Sequence, residues 1–302
     1  MREFWKVLRG RTNMDRQRRA GYFFIAPALL YFLLIYFYPL FQSFQISFYK
    51  WSPTRSRYVG LQMYRKVWHD PIFWLTVKNT FMLVLLSVPA IVVLALLVSI
   101  LLQSIRATKF RNLLTTCYFL PLVTSLVAAG LIWEWIYNPT YGLLNHLLGY
   151  LGLPAQQWLS SMTQVLPSLA VINIWVRLGF AVLIFSAALQ SIPQDFYDAA
   201  AIDGAGPIAS FWYLTLPLLN PQIVLVSIIE LIFGFKVFDQ VFVTTQGNPA
   251  NASKVIILYL YENAFKWYKL GEASVMAIFL FLFLLCISVL QWRFFRKTVT
   301  FG

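Results

Sequence analysis

Six stretches of roughly 20 or more mainly apolar residues, separated by polar turns, leave this chain few ways to fold. They cover about 21–44, 75–102, 113–137, 166–189, 223–243 and 273–292. Each is longer than an ordinary soluble core helix and long enough to cross a hydrocarbon layer. Composition supports a lipid solvent, because 60% of the 302 residues are hydrophobic and only 12% are charged. A soluble domain carries about twice that charged share and needs the polar surface it supplies. The expectation is an all-α integral membrane protein with about six transmembrane helices in one domain over 21–292. A basic segment at 1–20 precedes it and a short tail at 293–302 follows. The first stretch sits behind basic residues as a signal peptide would, yet it is too long and lacks a small-residue cleavage site. It is therefore expected to stay as an uncleaved anchor.

The net charge of +13 would suit nucleic acid, but 7 of the 24 Lys and Arg precede the first stretch and others flank later ones. Membrane orientation explains that placement, so no nucleic-acid partner is expected. With the N-terminus inside, the inner segments hold 13 basic residues and the outer ones 8, which makes both termini cytoplasmic. The inner loop at 191–220 breaks the rule: it has no Lys or Arg and carries Asp195, Asp198 and Asp203. Cys117 and Cys286 lie in apolar runs and are read as small buried side chains rather than a disulfide or metal pair. His69 and His146 are isolated and receive no role.

The punctuation of 191–221 describes two short helices. Ser191 with Gln194 fits a capping box, Pro193 suits a first turn, and Asp195 places negative charge at the positive helix end. The first helix should begin near Ile192. Gly204 and Gly206 can take the left-handed conformation that ends a helix, Pro207 can start the next, and Pro217 should stop it. Ala199, Ala200 and Ala201 offer a low, dockable face. Ile208, Phe211, Trp212 and Thr215 form a stripe suited to lie against the ends of the spans. A hairpin that merely connects two spans satisfies the same pattern.

That loop resembles the cytoplasmic signature of the permease subunits of bacterial binding-protein-dependent ABC importers of the carbohydrate-uptake type. The signature runs Glu-Ala-Ala, a glycine four residues on, then an aliphatic residue, a spacer and Leu-Pro. Asp198, Ala199, Ala200, Gly204, Leu214, Leu216 and Pro217 occupy those positions, with Asp198 in place of the commoner Glu. The likeness extends through Pro27, Tyr38-Pro39, Gly60-Leu61 with Tyr64, Asp70-Pro71 to Asn79-Thr80, and Phe119-Leu120-Pro121. Lys236-Val237-Phe238-Asp239 and Thr244 to Pro249 continue it, with Asn248 where glycine is usual. These features resemble the first, maltose- or glycerol-phosphate-like, permease kind. The resemblance implies a heterodimer with a second permease, two ATPase subunits, an external solute-binding protein and a multi-pass place in the bacterial inner membrane. It assigns ATPase coupling to Asp198, Ala199, Ala200, Asp203, Gly204, Ala205, Leu216 and Pro217. This chain should bind no cofactor itself, with ATP and Mg held by the partner ATPase, and no phosphate-binding Gly-x-x-x-x-Gly-Lys-Ser/Thr loop occurs in it.

Five ionisable residues at span depth need an account: Glu134, Arg177, Glu230, Lys236 and Asp239. Arg177, Lys236 and Asp239 are candidates for a polar substrate pathway. The structural alternative is pairing, with Lys236 and Asp239 three residues apart on one helix face and Glu134 near a span end. Trp133, Trp135 and Tyr137 suit belt or packing roles. An ATPase-independent secondary transporter or channel would be favoured by an internal repeat, which 21–137 and 166–292 do not show. An intramembrane enzyme would need clustered catalytic groups in the spans.

Overall fold

The computed structural model describes residues 20–51, 55–105 and 107–295, which are mostly helical. The basic segment at 1–20 and the tail at 293–302 fall largely outside the described residues. Five helices are long and apolar enough to cross a membrane: Ala20–Ile46, Pro71–Ser104, Val165–Gln190, Asn220–Thr244 and Leu270–Arg293. A bent pair, Thr108–Val123 and Leu126–Ile136, adds a sixth crossing if its halves count as one span.

That pair corrects the reading of 113–137 as one helix, since its halves meet at 102°. Thr124 and Ser125 at the junction have extended backbone, with ψ of 149° and 132°. Pro121 lies just before the break, and the Thr124 hydroxyl donates to its carbonyl oxygen at 2.6 Å. A backbone group freed by the break is thereby satisfied without water. Proline is handled differently elsewhere. A π-type turn at Leu33–Phe37 comes immediately before Tyr38-Pro39, and another at Phe211–Thr215 comes before Leu216-Pro217. The widened turn relieves the clash a proline ring makes with the preceding turn, so the first helix runs on to Ile46 and the second reaches Leu218. Pro217 sits in the last turn, and its helix ends one residue further on at Leu218, close to where the sequence expectation put the stop.

The second span packs most extensively along the fourth and also against the fifth. Its interior face includes Leu83, Ile91 and Ala95, all without solvent exposure. Gly179 in the fourth span lets the backbone of Tyr118 approach so closely that a Cβ there would collide with the Tyr118 carbonyl. Small residues at membrane interfaces serve this purpose. Two buried hydrogen bonds join the second span to the fourth: Ser99 Oγ to the Val182 carbonyl at 3.1 Å and Asn173 Nδ2 to Ser87 Oγ at 3.0 Å.

At the end of the bundle away from 191–221, a polar clamp ties the 245–262 segment to the second span. Asp70 Oδ1 accepts from Ile72 N and begins that span, with Pro71 in its first turn. Asn79 Nδ2 donates to the carbonyls of Asn251 and Lys254 at 2.9 and 3.1 Å, and Thr80 Oγ1 accepts from Ile256 N at 2.9 Å. The Tyr259 hydroxyl donates to Asp70 Oδ2. Burial, and then the adjacent Asp70 carboxylate, push that hydroxyl above its ordinary pKa, which keeps it a donor.

The first span buries none of its apolar window within this chain. Cys117 and Cys286 are free and exposed on the apolar surface, which corrects the expectation that they are buried.

Candidate functional site

The 191–221 segment forms the two-helix hairpin, with Gln194–Ile202 as its first helix. The start differs from the expectation. Pro193 takes the N-cap position with extended backbone, ψ 140°, and Ser191 Oγ donates backward to the Ala188 carbonyl at 2.7 Å. No capping box forms, because Ser191 still belongs to the last turn of the preceding span. Asp195 does lie in the first turn. The far end follows the glycine logic. Gly204 has φ +79°, Ala205 N donates to the Ala200 carbonyl at 2.9 Å, and Gly204 N donates to Ala201 at 3.1 Å. This pair of bonds satisfies the last carbonyls of the helix. Gly206 has φ −74° and takes no left-handed conformation, while Pro207 opens the second helix.

The second helix runs Pro207–Ser210, then through the wide turn Phe211–Thr215 to Leu218. Its expected inward stripe divides. Phe211 packs on the apolar cluster of Phe185, Leu189 and Leu219, and Thr215 is buried, whereas Ile208 and Trp212 are 77% and 58% exposed. The Tyr197 and Thr215 hydroxyls hydrogen-bond at 3.1 Å and join the two helices. The hairpin thus has a rooted side and a free side. Ala199 is exposed and Ala200 half-buried. Asp198 and Asp203 point to solvent, and Asp198 accepts from the Gln194 amide at 3.2 Å in mid-helix instead of capping it. Ala205 and Leu216 are half-buried and Pro217 is exposed. Ile202 and Tyr213, both more than 80% exposed, were not anticipated. Helical spacing did not single them out, since Ala199 and Ala205 flank Ile202 and Leu216 follows Tyr213 at three residues.

The span charges sort by partner. Arg177 grips Glu230 through two parallel bonds of 2.9 Å, Nε to Oε2 and an amino nitrogen to Oε1. The Arg177 side chain is 12% exposed and Glu230 1% exposed. The guanidinium also lies 3.9 Å from the Phe233 ring centre. This planar, bidentate arrangement is what an arginine needs in a dry site. Lys236 and Asp239 flank a break in the fifth span, between Asn220–Phe235 and Asp239–Thr244. Lys236 is exposed, and among the described residues no ion pair joins it to Asp239. Glu134 is exposed and lines a polar crevice with Asn138, Ser160, Thr244 and Asn248. Tyr137 is buried and donates to the Ser168 carbonyl at 3.1 Å, so it packs, whereas Trp135 is 74% exposed.

A bundle of apolar spans carrying interior charges, a broken span and a rooted surface hairpin makes this a polytopic α-helical membrane protein. The chain belongs to the family described as binding-protein-dependent transport system inner membrane component, whose model matches residues 76–299. It is 31% identical over 287 residues to the probable ABC transporter permease protein YurN of Bacillus subtilis, covering 94% of this chain and 98% of that one. The arabinooligosaccharides transport system permease protein AraP of Halalkalibacterium halodurans is 32% identical over 282 residues, with 93% and 89% covered. The trehalose/maltose transport system permease protein MalF of Thermococcus litoralis is 32% identical over 277 residues, with 90% and 92% covered. The fold also matches a chain in the crystal structure of a bacterial ABC transporter involved in import of the acidic polysaccharide alginate. The TM-score is 0.84 at 23% identity, with 96% of this chain and 100% of that one covered.

Proposed function

We propose that this chain is one of two different permeases lining the pathway of an ABC importer for a sugar or related solute, with the 191–221 hairpin coupling it to a separate ATPase. The observation that carries this reading is the hairpin itself: a free, small-residue face bearing Asp198 to Gly204, closed by a left-handed glycine, on a frame rooted in the spans. Such an element transmits force as a rigid body. Its surface charge is purely acidic, and its exposed Ile202, Ile208, Trp212 and Tyr213 form an apolar crest. Both suit docking in a basic, apolar-floored groove on the ATPase. ATP and Mg bind in that partner, and an external binding protein delivers the solute. The hairpin and both termini face the cytoplasm of a bacterial cell. The names of the relatives, which include arabinooligosaccharide and trehalose/maltose permeases, support a carbohydrate cargo. Arg177, Lys236 and Asp239 mark the polar part of the pathway.

The test is Gly204→Val. A β-branched residue at φ +79° costs about 1–3 kcal/mol locally and distorts the docking face. The variant should still enter the membrane and purify as a monodisperse permease, but retain little ATPase on co-purification and show uncoupled uptake. Normal ATPase retention and uptake would sink the coupling assignment.

A further inference from the structure

At the bundle end opposite the hairpin, a short helix, Gln62–Trp68, lies against the sixth span with Met63 and Val67 buried beneath it. Two clefts meet beside it. One, of about 440 Å³, is an apolar groove walled by Val67, Trp68, Phe73, Val275, Phe279 and Leu282. From Val275 to Leu282 it follows two helical turns, roughly 10 Å into the hydrocarbon layer. The other is a polar cleft that includes Lys50, Arg57, Arg65, Lys66 and Glu272. Arg65 and His69 line both. Lys66 is paired with Glu272 at 2.5 Å. Lys50, Arg57 and Arg65 are exposed and form no ion pair among the described residues.

Depth is marked by Trp68 and Trp74, whose rings meet edge to face and whose backbone and indole are joined by a 2.8 Å bond. Tryptophans of this kind gather where headgroups begin. The groove therefore descends from headgroup level with a basic rim at its mouth. A soluble anion would fill the rim and leave the groove empty, and an uncharged lipid would do the reverse.

We propose that this composite cleft is a binding site for an anionic phospholipid of the leaflet opposite the hairpin, its phosphate held by Arg57 and Arg65 and one acyl chain lying along Phe73 and Phe279. The site stands independently of the coupling reading, since it needs only that the bundle sits in a bilayer. Lys66 is occupied by Glu272 and serves to hold the short helix in place.

The experiment uses the full chain, with whatever subunits accompany it, delipidated in mild detergent and titrated with phosphatidylglycerol or phosphatidylcholine while bound lipid is counted by native mass spectrometry. One phosphatidylglycerol should bind in preference to phosphatidylcholine. At about 1 kcal/mol per basic residue, Arg57→Ala with Arg65→Ala should weaken it roughly 30-fold. Ile278→Trp, which narrows the groove and leaves the charges, should weaken it as well. On the unaltered protein, dibrominated phosphatidylglycerol should quench tryptophan fluorescence more than dibrominated phosphatidylcholine, and Trp68→Phe should shrink the difference. No preference between the lipids, or equal binding in the charge variant, would mean annular lipid only and overturn the proposal. Loss in the charge variant but not in the groove variant would overturn it too, by assigning the rim to a soluble anion or an acidic protein face.

Discussion

Arg177 and Glu230 show how much a single residue's meaning depends on its partner. Both were visible as costly intramembrane charges, but the obvious pairing by spacing was Lys236 with Asp239 on one helix. The structure instead joins residues 53 positions apart, across the fourth and fifth spans. Removing Arg177 leaves a buried carboxylate alone, so Arg177→Ala should destabilise the purified permease by about 3–5 kcal/mol. Replacing both residues with Met and Leu should recover much of that loss, because neither charge is then stranded. Thermal unfolding in detergent checks the stability order. Solute uptake by the double variant separates a pin between spans from a direct role in the pathway: retained uptake assigns the pair to structure. Gly204 is the contrasting case. Its role was legible from type and position alone, since a left-handed cap has essentially one cheap occupant.

Among elements, helix ends were harder to read than helix bodies. Five of the apolar runs appear as spans within a few residues of their expected limits, the fifth with a break after Phe235, because apolar length alone selects a span. The third run bends at Thr124 and Ser125, which no apolarity count reveals. Pro217 reads as a stop and its helix ends one residue later at Leu218, but the wide turn over Phe211–Thr215 before it has no signal in the residue pattern. The Asn79 clamp is a further element that sequence pattern named without explaining. Asp70-Pro71 and Asn79-Thr80 stood out by resemblance, and their work is to cap the second span and hold the 245–262 segment on it. Asn79→Ala frees two buried carbonyls at a cost of about 1–3 kcal/mol. It should raise hydrogen exchange over 248–258 while leaving the hairpin at 191–221 unchanged. Equal protection in both proteins would remove the clamp from the account.

For the whole molecule, the surface is the informative part. The first span is unburied along its apolar window, and Cys117 and Cys286 face outward, so this chain presents apolar surface that its own packing leaves uncovered. Lipid covers some of it, and a second permease is proposed to cover more. A partner that binds only the folded chain stabilises it by mass action. Co-purification with the second permease should therefore raise the melting temperature relative to this chain alone, with a larger shift at higher partner concentration. A melting temperature indifferent to the partner would argue that lipid alone covers the exposed spans.

The amino-acid sequence by itself determined that the chain is a helical membrane protein and which family it joins. It also determined where the hairpin and its glycine cap lie, because apolar length, charge placement and backbone permissiveness are local properties. Only the tertiary structure decided which charges meet, where the third run breaks, which side of the hairpin is rooted, and that a basic rim opens onto an apolar groove beside Gln62–Trp68. Those are properties of pairs of segments distant in sequence. Their energies arise only when packing removes water and lipid from between them.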